Sequence, residues 1–419
     1  MASSSFSPQR EPVGESLTVL KFTSRPLSEF TDQPVDLNDV AASHGTLFVR
    51  DGVGFAGRGV AIRGPVDAVR HALSTAAVHD SVDRPGSSGV AVGWHTFLGD
   101  STQLIVPRVT VGKSSDGAAW VTFVDDAAGE VAAVLQHSDS VPNGGATFTI
   151  RPGVDVDTYL NAVGAIREAV RTGRITKAVI ARDIVVESSM PIDIHALLKR
   201  LKASFGSSYR YSIDGFVGAS PELLVSRNGD EIASHPLAGT TPRTGNPEVD
   251  ARLAVELRTS SKNQIEHRVV IDMVHETLLP WCSYLDWQPE PEVIAVANVQ
   301  HLGTRVEGRL SAPFPHVLDL VAELSPTPAL GGHPRDIALG LIAQHEGVHR
   351  GRYGGAVGWC DRAGNGTWAV AIRCAEFSAD RRSARLYAGG GIVAESEPTA
   401  ELAETQTKFQ AMLAAIVRP

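Results

Sequence analysis

Glu401, Glu404 and Lys408 near the C-terminus are spaced so that one helix face carries all three. Two carboxylates and an ammonium on one face have two readings. The first is a solvated face with an i, i+4 ion pair between Glu404 and Lys408. The second is a hard-cation site beside an anionic ligand, because magnesium takes carboxylates together with water and substrate oxygens. The preceding segment, AGGGIVAES, favours the second reading. It reads as a strand running into a loop of bare backbone amides, which can approach an anion closely. Its glycines lack the Gly-x-Gly-x-x-Gly spacing of a dinucleotide loop.

Other candidates lie upstream. In SKNQIEHRVVIDMV, Glu266 and His267 fall among Ile265, Val269, Val270 and Met273. A Glu there is either at the edge of an apolar helix face or buried and paired with a cation, since an unpaired buried charge is costly. In TWAVAIRCAEF, strand alternation places Arg373 among Ala369, Ala371 and Ala375, with room for a ligand. Arg is a bidentate partner for a carboxylate, and equally for a core-edge ion pair. Lys177 heads the apolar run KAVIARDIVVES, where desolvation favours a neutral amine and hence a base. Glu222 in GASPELL is flanked by proline and apolar residues, a setting that raises a carboxyl pKa and suits a general acid. Either residue alone is more often structural.

The elements that must carry these groups follow from periodicity. Before residue 150, short apolar runs broken by Gly and Asp read as antiparallel strands, with PVDAVRHALSTAAVHD as a helix between them. After it, Asp157 is expected to cap a helix over Tyr159, Leu160, Val163, Ile166 and Val170 that Gly173 ends. KAVIARDIVVES reads as a strand buried on both faces. IDIHALLKRLKASF reads as a helix and RYSIDGF…LAGT as a meander of strands. The segment NPEVDARL…PWC is read as a long helical region. Further helices flank the Pro/Gly loop of SPTPALGG. TWAVAIRCAEF is the second arm of a hairpin turning at AGNG, and TAELAETQTKFQAMLAAIV is the closing helix. Strands with interspersed helices, rather than regular βαβ units, indicate α+β with large, mainly antiparallel sheets.

The chain has 419 residues, 43% hydrophobic and 20% charged, so it folds as a globular protein; length alone would allow two or three domains. A net charge of −9 and a pI near 5.9 speak against broad nucleic-acid or anionic-membrane binding, though not against a small anion. Cys282, Cys360 and Cys374 form no Cys-x-x-Cys, so reduced thiols are expected, with Cys374 in the core. The first residues lack the apolar stretch of a signal peptide, and no run approaches the ~20 apolar residues of a membrane span. A soluble, cytoplasmic protein is expected.

Taken together, KAVIAR, GASPELLV, HPLAGTTPR, SSKNQIEHRVV, NVQHLGTRVEG, LSPTPALGG, YGGAVGWCDRAGNGTWAVAIRCA, LYAGGGIV and AELAETQTK closely resemble the chorismate-utilising enzymes, in order, over residues 150 to 419. The resemblance implies one large α+β domain over 16–419 of two stacked, mainly antiparallel sheets flanked by helices, after a flexible tail over 1–15. Within it, 16–150 is the divergent part and 151–419 the catalytic part. It implies Lys177 as the base that activates water and Glu222 as the acid that protonates a departing hydroxyl. It implies Mg2+ held by Glu266 and Glu404, with Glu401 holding metal-bound water. Gly239, Thr240, His301, Ala329, Arg373, Gly389 and Lys408 would line the substrate site, with Arg373 and Gly389 clamping the enolpyruvyl carboxylate. Lys177, PTPAL and IRCA together follow the isochorismate-forming branch, with siderophore or menaquinone supply as the context. A salicylate-forming enzyme is the alternative. No glutaminase partner is expected, and a monomer is. Two positions depart from the family pattern: Asn263 stands where an acid is usual, and Gly390 where alanine is usual.

Overall fold

KAVIARDIVVES forms the strand Lys177–Ser188, buried along its length except at Glu187. It pairs antiparallel with Phe148–Pro152 on one side and with Ser383–Ile392, the AGGGI strand, on the other. Being covered on both faces is why it reads as a continuous apolar run rather than an alternating one. The computed structural model describes residues 19–136, 145–296 and 298–418; the expected tail over 1–15 lies outside them.

Among the described residues, these strands belong to a sheet of thirteen; nine form a second sheet and three a third. Every pairing is antiparallel except that of Lys21–Pro26 with Ala77–Asp80. Tyr211 and Phe216 of the larger sheet share one core cluster with Val225, Ile232 and Trp368 of the second, so the two stack through apolar side chains. The N-terminal strands join both sheets: Thr46–Arg50 and Val109–Lys113 enter the first, Val90–His95 and Thr102–Val106 the second. The α+β architecture of large antiparallel sheets flanked by helices matches the expectation from sequence. The third sheet was not anticipated; it carries LAGT on Leu237–Pro242 and His301 on Val299–Gly303.

Four local expectations are corrected. The helix expected over 65–80 ends at Thr75, and Ala77–Asp80 is an edge strand whose burial alternates with period two. The helix Val156–Arg171 starts behind Asp155, and Asp157 lies in its first turn; Gly173 follows it with φ 73°. The long helical region is two helices, Pro247–Thr259 and Ser261–Leu278, because Ser260 takes an extended ψ of 117° and its side chain accepts from Asn263 N–H. TWAVAIRCAEF is not one strand. Gly366–Val370 lies in the nine-stranded sheet and Cys374–Phe377 in the thirteen-stranded one. Its alternation stops at the change of sheet, so Arg373 does not share a pleated face with Ala369 and Ala375.

The closing helix Pro398–Val417 buries Thr405, Phe409, Met412 and Ile416, and packs on the AGGGI strand and on Val156–Arg171. No helix among the described residues is long and apolar enough to cross a membrane. Cys360 and Cys374 are buried free thiols and Cys282 is a half-buried one.

Candidate active site

Two neighbouring strands leave one large sheet for the other at the same place. Phe216–Ser220 ends in the first sheet and Leu223–Asn228 begins in the second; Gly366–Val370 and Cys374–Phe377 make the reverse passage beside it. The passages are tied together, Val370 N–H donating to Glu222 O at 3.0 Å and Ala219 N–H to Arg373 O at 3.1 Å. Glu222 sits in one passage and Arg373 in the other. Neither is bound to a pleat, so both side chains can enter the gap. Arg373 holds a left-handed φ of 52°, a strain of about 1–3 kcal/mol that surrounding structure must offset.

Glu222 is 2% exposed. Burial pushes its carboxyl up to about 8, against the opposing pull of Leu237 N–H, Lys177 and Arg373. Leu237 N–H donates to its Oε1 at 3.3 Å. The group therefore keeps its proton at neutral pH, as a general acid must. Arg373 has no carboxylate within ion-pair distance among the described residues. Burial lowers its pKa, while Tyr353, Glu404 and Glu222 act the other way. A guanidinium without an anionic partner in a cavity is poised for an anionic ligand.

Lys177 Nζ donates to Glu266 Oε1 at 2.7 Å, with the lysine side chain 2% and the glutamate side chain 13% exposed. Burial alone would raise the Glu266 carboxyl; Lys177, Lys408 and Lys262 together hold it below its ordinary value. Glu266 stands in the second turn of the helix that Ser260 caps, and it lines the cavity. Ile265, grouped with it in the sequence as apolar, points to solvent. The pair lies directly over Gly391. A Cβ there would collide with Glu266 Oε1 and come within 2.8 Å of Lys177 Cε. Gly391→Ala is therefore expected to displace the pair, lowering kcat by about 10²-fold and also lowering the melting temperature, because overpacking a filled site costs about 1–3 kcal/mol. Turnover within a factor of three of wild type would show that the bare backbone is not needed.

The closing helix divides its charges. Lys408 Nζ donates to Gly389 O at 2.7 Å and lies 2.6 Å from Glu404. Both line the cavity. Glu401 does not. It is 4% exposed, accepts from Ser396 Oγ at 2.7 Å and lies 3.7 Å from Lys262. Gly389 and Gly391 face the cavity side chains, whereas a Cβ on Gly390 would meet Glu401 Oε2 at 2.8 Å on the opposite face of the strand. Glycine at 390 thus leaves space that Glu401 fills. Burial, reinforced by Glu404, raises the Glu401 carboxyl, with Ser396, Lys262 and Lys408 opposing.

All the expected site residues except Glu401 line this one cavity: Lys177, Glu222, Gly239, Thr240, Glu266, His301, Ala329, Arg373, Gly389, Glu404 and Lys408. So do Lys262 and Tyr353, which the sequence reading did not single out. Lys262 belongs to the quoted SSKNQIEH stretch, and its charge beside Asn263 was an available signal. Tyr353 stacks on Tyr387 at 5.1 Å, a contact with no local trace in the sequence. Formal charges on the wall are four cations (Lys177, Lys262, Arg373, Lys408) less two ionised carboxylates (Glu266, Glu404), or +2, which suits a dicarboxylate. Among the described residues no three His, Cys, Asp or Glu side chains are clustered as a ready-made cage for a metal. Glu266, Glu404 and Asn263 all line the cavity, and two carboxylates with waters and substrate oxygens are a donor set that could hold a magnesium ion.

Residues 99–417 match the family described as chorismate binding enzyme. A MenF protein of Mycobacterium tuberculosis is 44% identical over 271 residues, covering 62% of this chain and 73% of that one. The isochorismate synthase DhbC of Bacillus subtilis is 40% identical over 293 residues, covering 67% of this chain and 73% of that protein. The crystal structure of a DhbC from Bacillus anthracis superposes with a TM-score of 0.75 at 32% identity, covering 90% of this chain and 98% of that one. With the family match spanning most of its length, and with the sheets, the crossovers and the charged cavity described above, this chain belongs to the chorismate-binding enzyme family.

Proposed function

We propose that the chain converts chorismate into isochorismate. The observation that carries this reading is the meeting of Lys177 and the buried Glu222, from different elements, on the wall of one cationic cavity; burial raises the Glu222 carboxyl to about 8. Lys177, as the neutral amine left once its proton has passed to the paired Glu266 carboxylate, takes a proton from a water whose oxygen bonds to C2 of the ring. The ring double bonds shift, the C4–oxygen bond breaks, and Glu222 gives its proton to the departing hydroxide, which leaves as water. Water enters and water leaves, so substrate and product are isomers. Arg373 and the backbone around Gly389 receive the enolpyruvyl carboxylate, and Lys408 fixes that backbone through the Gly389 carbonyl. Thr240 and Ala329 close the sides of the ring pocket. Magnesium held by Glu266 and Glu404 would supply Lewis-acid stabilisation at the ring carboxylate. Glu401, behind the Gly390 strand, would not hold that ion itself; it lies 3.7 Å from Lys262, which does line the cavity. The reaction needs no glutaminase, and we place the enzyme in the cytoplasm.

Purified protein with chorismate and magnesium is expected to yield isochorismate alone on chromatography. Chelation with EDTA is expected to stop turnover, and added Mg2+ to restore it. Salicylate with pyruvate as the product would replace this reading with the salicylate-forming one, and turnover only with ammonia or a glutaminase would place the chain with the amino-transferring members.

A further inference from the structure

We infer that His301 serves the reaction through Arg373, as a neutral imidazole protonated on Nδ1 that fixes the guanidinium, and that it neither exchanges a proton with the substrate nor binds metal. The inference rests on the reading of Arg373 as the carboxylate clamp. Arg373 Nη2 lies 3.1 Å from His301 Nε2. A guanidinium only donates, so Nε2 is the acceptor and carries no hydrogen. The single proton is then on Nδ1, which lies 3.0 Å from Gly239 O and 3.2 Å from Thr240 Oγ1. Both ring nitrogens are thereby spent on the protein. A metal would need one of them free, and a proton transfer would need one to change partner.

The surroundings support the neutral form. His301 is 7% exposed, and the charged groups acting on it are Arg373 and Lys408, both cations. Burial and those two cations push the imidazole down to about 3, with the Gly239 carbonyl opposing. The anchor is itself built. Gly239 holds a left-handed φ of 71°, and a Cβ there would meet Asn263 at 3.2 Å. The line from Gly239 O through His301 to Arg373 therefore couples the small third sheet to the crossover between the two large ones. Arg373 stands in a strained crossover with no carboxylate within ion-pair distance among the described residues, so this contact is what orients its fork before a carboxylate arrives.

The test compares His301→Leu, His301→Gln and Arg373→Ala in the full-length protein. Glutamine keeps an oxygen acceptor toward Arg373 but cannot act as an acid or base near neutrality. His301→Leu is expected to raise the Kd and KM for chorismate by about 10- to 100-fold, the scale of a lost hydrogen bond to a charged group. His301→Gln should recover most of that loss, and the double variant carrying His301→Leu and Arg373→Ala should be no worse than Arg373→Ala alone. A kcat as low in the glutamine variant as in the leucine variant would put the imidazole in the chemistry and overturn the inference. Independently, the nitrogen-15 spectrum of the labelled histidines should show one ring as the Nδ1–H tautomer between pH 5 and 8 that vanishes in His301→Gln. An Nε2–H tautomer or an imidazolium would also overturn it. That spectrum needs no substrate, so it still decides the point if the product proves to be something other than isochorismate.

Discussion

Replacing Lys177 by glutamine is expected to cut kcat by about 10²- to 10⁴-fold, the usual contribution of a positioned general base. Glutamine is preferred to alanine for a physical reason. Lys177 pairs with Glu266 at 2.7 Å in a nearly dry setting. Removing one partner of such a pair outright costs about 3–5 kcal/mol, because the other charge stays buried and unpaired. A glutamine amide still donates to the carboxylate, so the fold and the Glu266 oxygen stay close to where they are. The readouts are kcat by product chromatography, Kd for chorismate and the thermal midpoint. A large loss of kcat with Kd within about fivefold of wild type supports the base. A kcat within tenfold of wild type would remove Lys177 from that role and leave it as the counter-ion of Glu266.

Glu222→Gln is expected to be similarly inactive and, above about pH 5, at least as stable as wild type. Burial raises the Glu222 carboxyl to about 8 in the folded protein, whereas a free Glu titrates near 4.3. The sign follows from proton counts. Below the unfolded value both states carry the proton, and nothing is lost. Between about 4.3 and 8 only the folded state carries it, so wild type loses stability progressively as pH rises through that window. Glutamine does not titrate and escapes the loss. The same group sets the alkaline limb of activity: kcat/KM should fall as pH passes about 8, when the acid ionises. A thermal midpoint for Glu222→Gln that tracks wild type from pH 5 to 8 would mean that Glu222 is ionised in the fold, and the general-acid role would fall with it.

Charge type and local pattern were readable where the chain is regular. Lys177 could be assigned to a doubly buried strand because apolar residues run on continuously there. Glu404 and Lys408 share a helix face by spacing alone, and they form the expected i, i+4 pair. The misreadings arose where tertiary contacts overrule periodicity. Arg373 seemed to alternate with alanines, but its segment changes sheets, and alternation has no meaning across such a passage. Glu401 shares the helix face of Glu404, yet the intervening Gly390 backbone separates it from the cavity.

Residue type and local spacing were enough to establish which chemistry was available: a lysine, a set of carboxylates, an arginine and a glycine-rich strand, each in a setting that restricts its protonation or its reach. They were also enough for the α+β class, since hydrophobic spacing is a property of neighbouring residues. Which groups meet was settled by folding in three dimensions. Lys177, Glu222, Glu266 and Arg373 are dozens of residues apart, and they converge because two strands cross between sheets side by side and a helix begins at Ser260. The protonation of Glu222 and the tautomer of His301 depend on burial and on partners brought from elsewhere in the chain. Such long-range contacts leave no periodic trace, so no reading of local spacing could have supplied them.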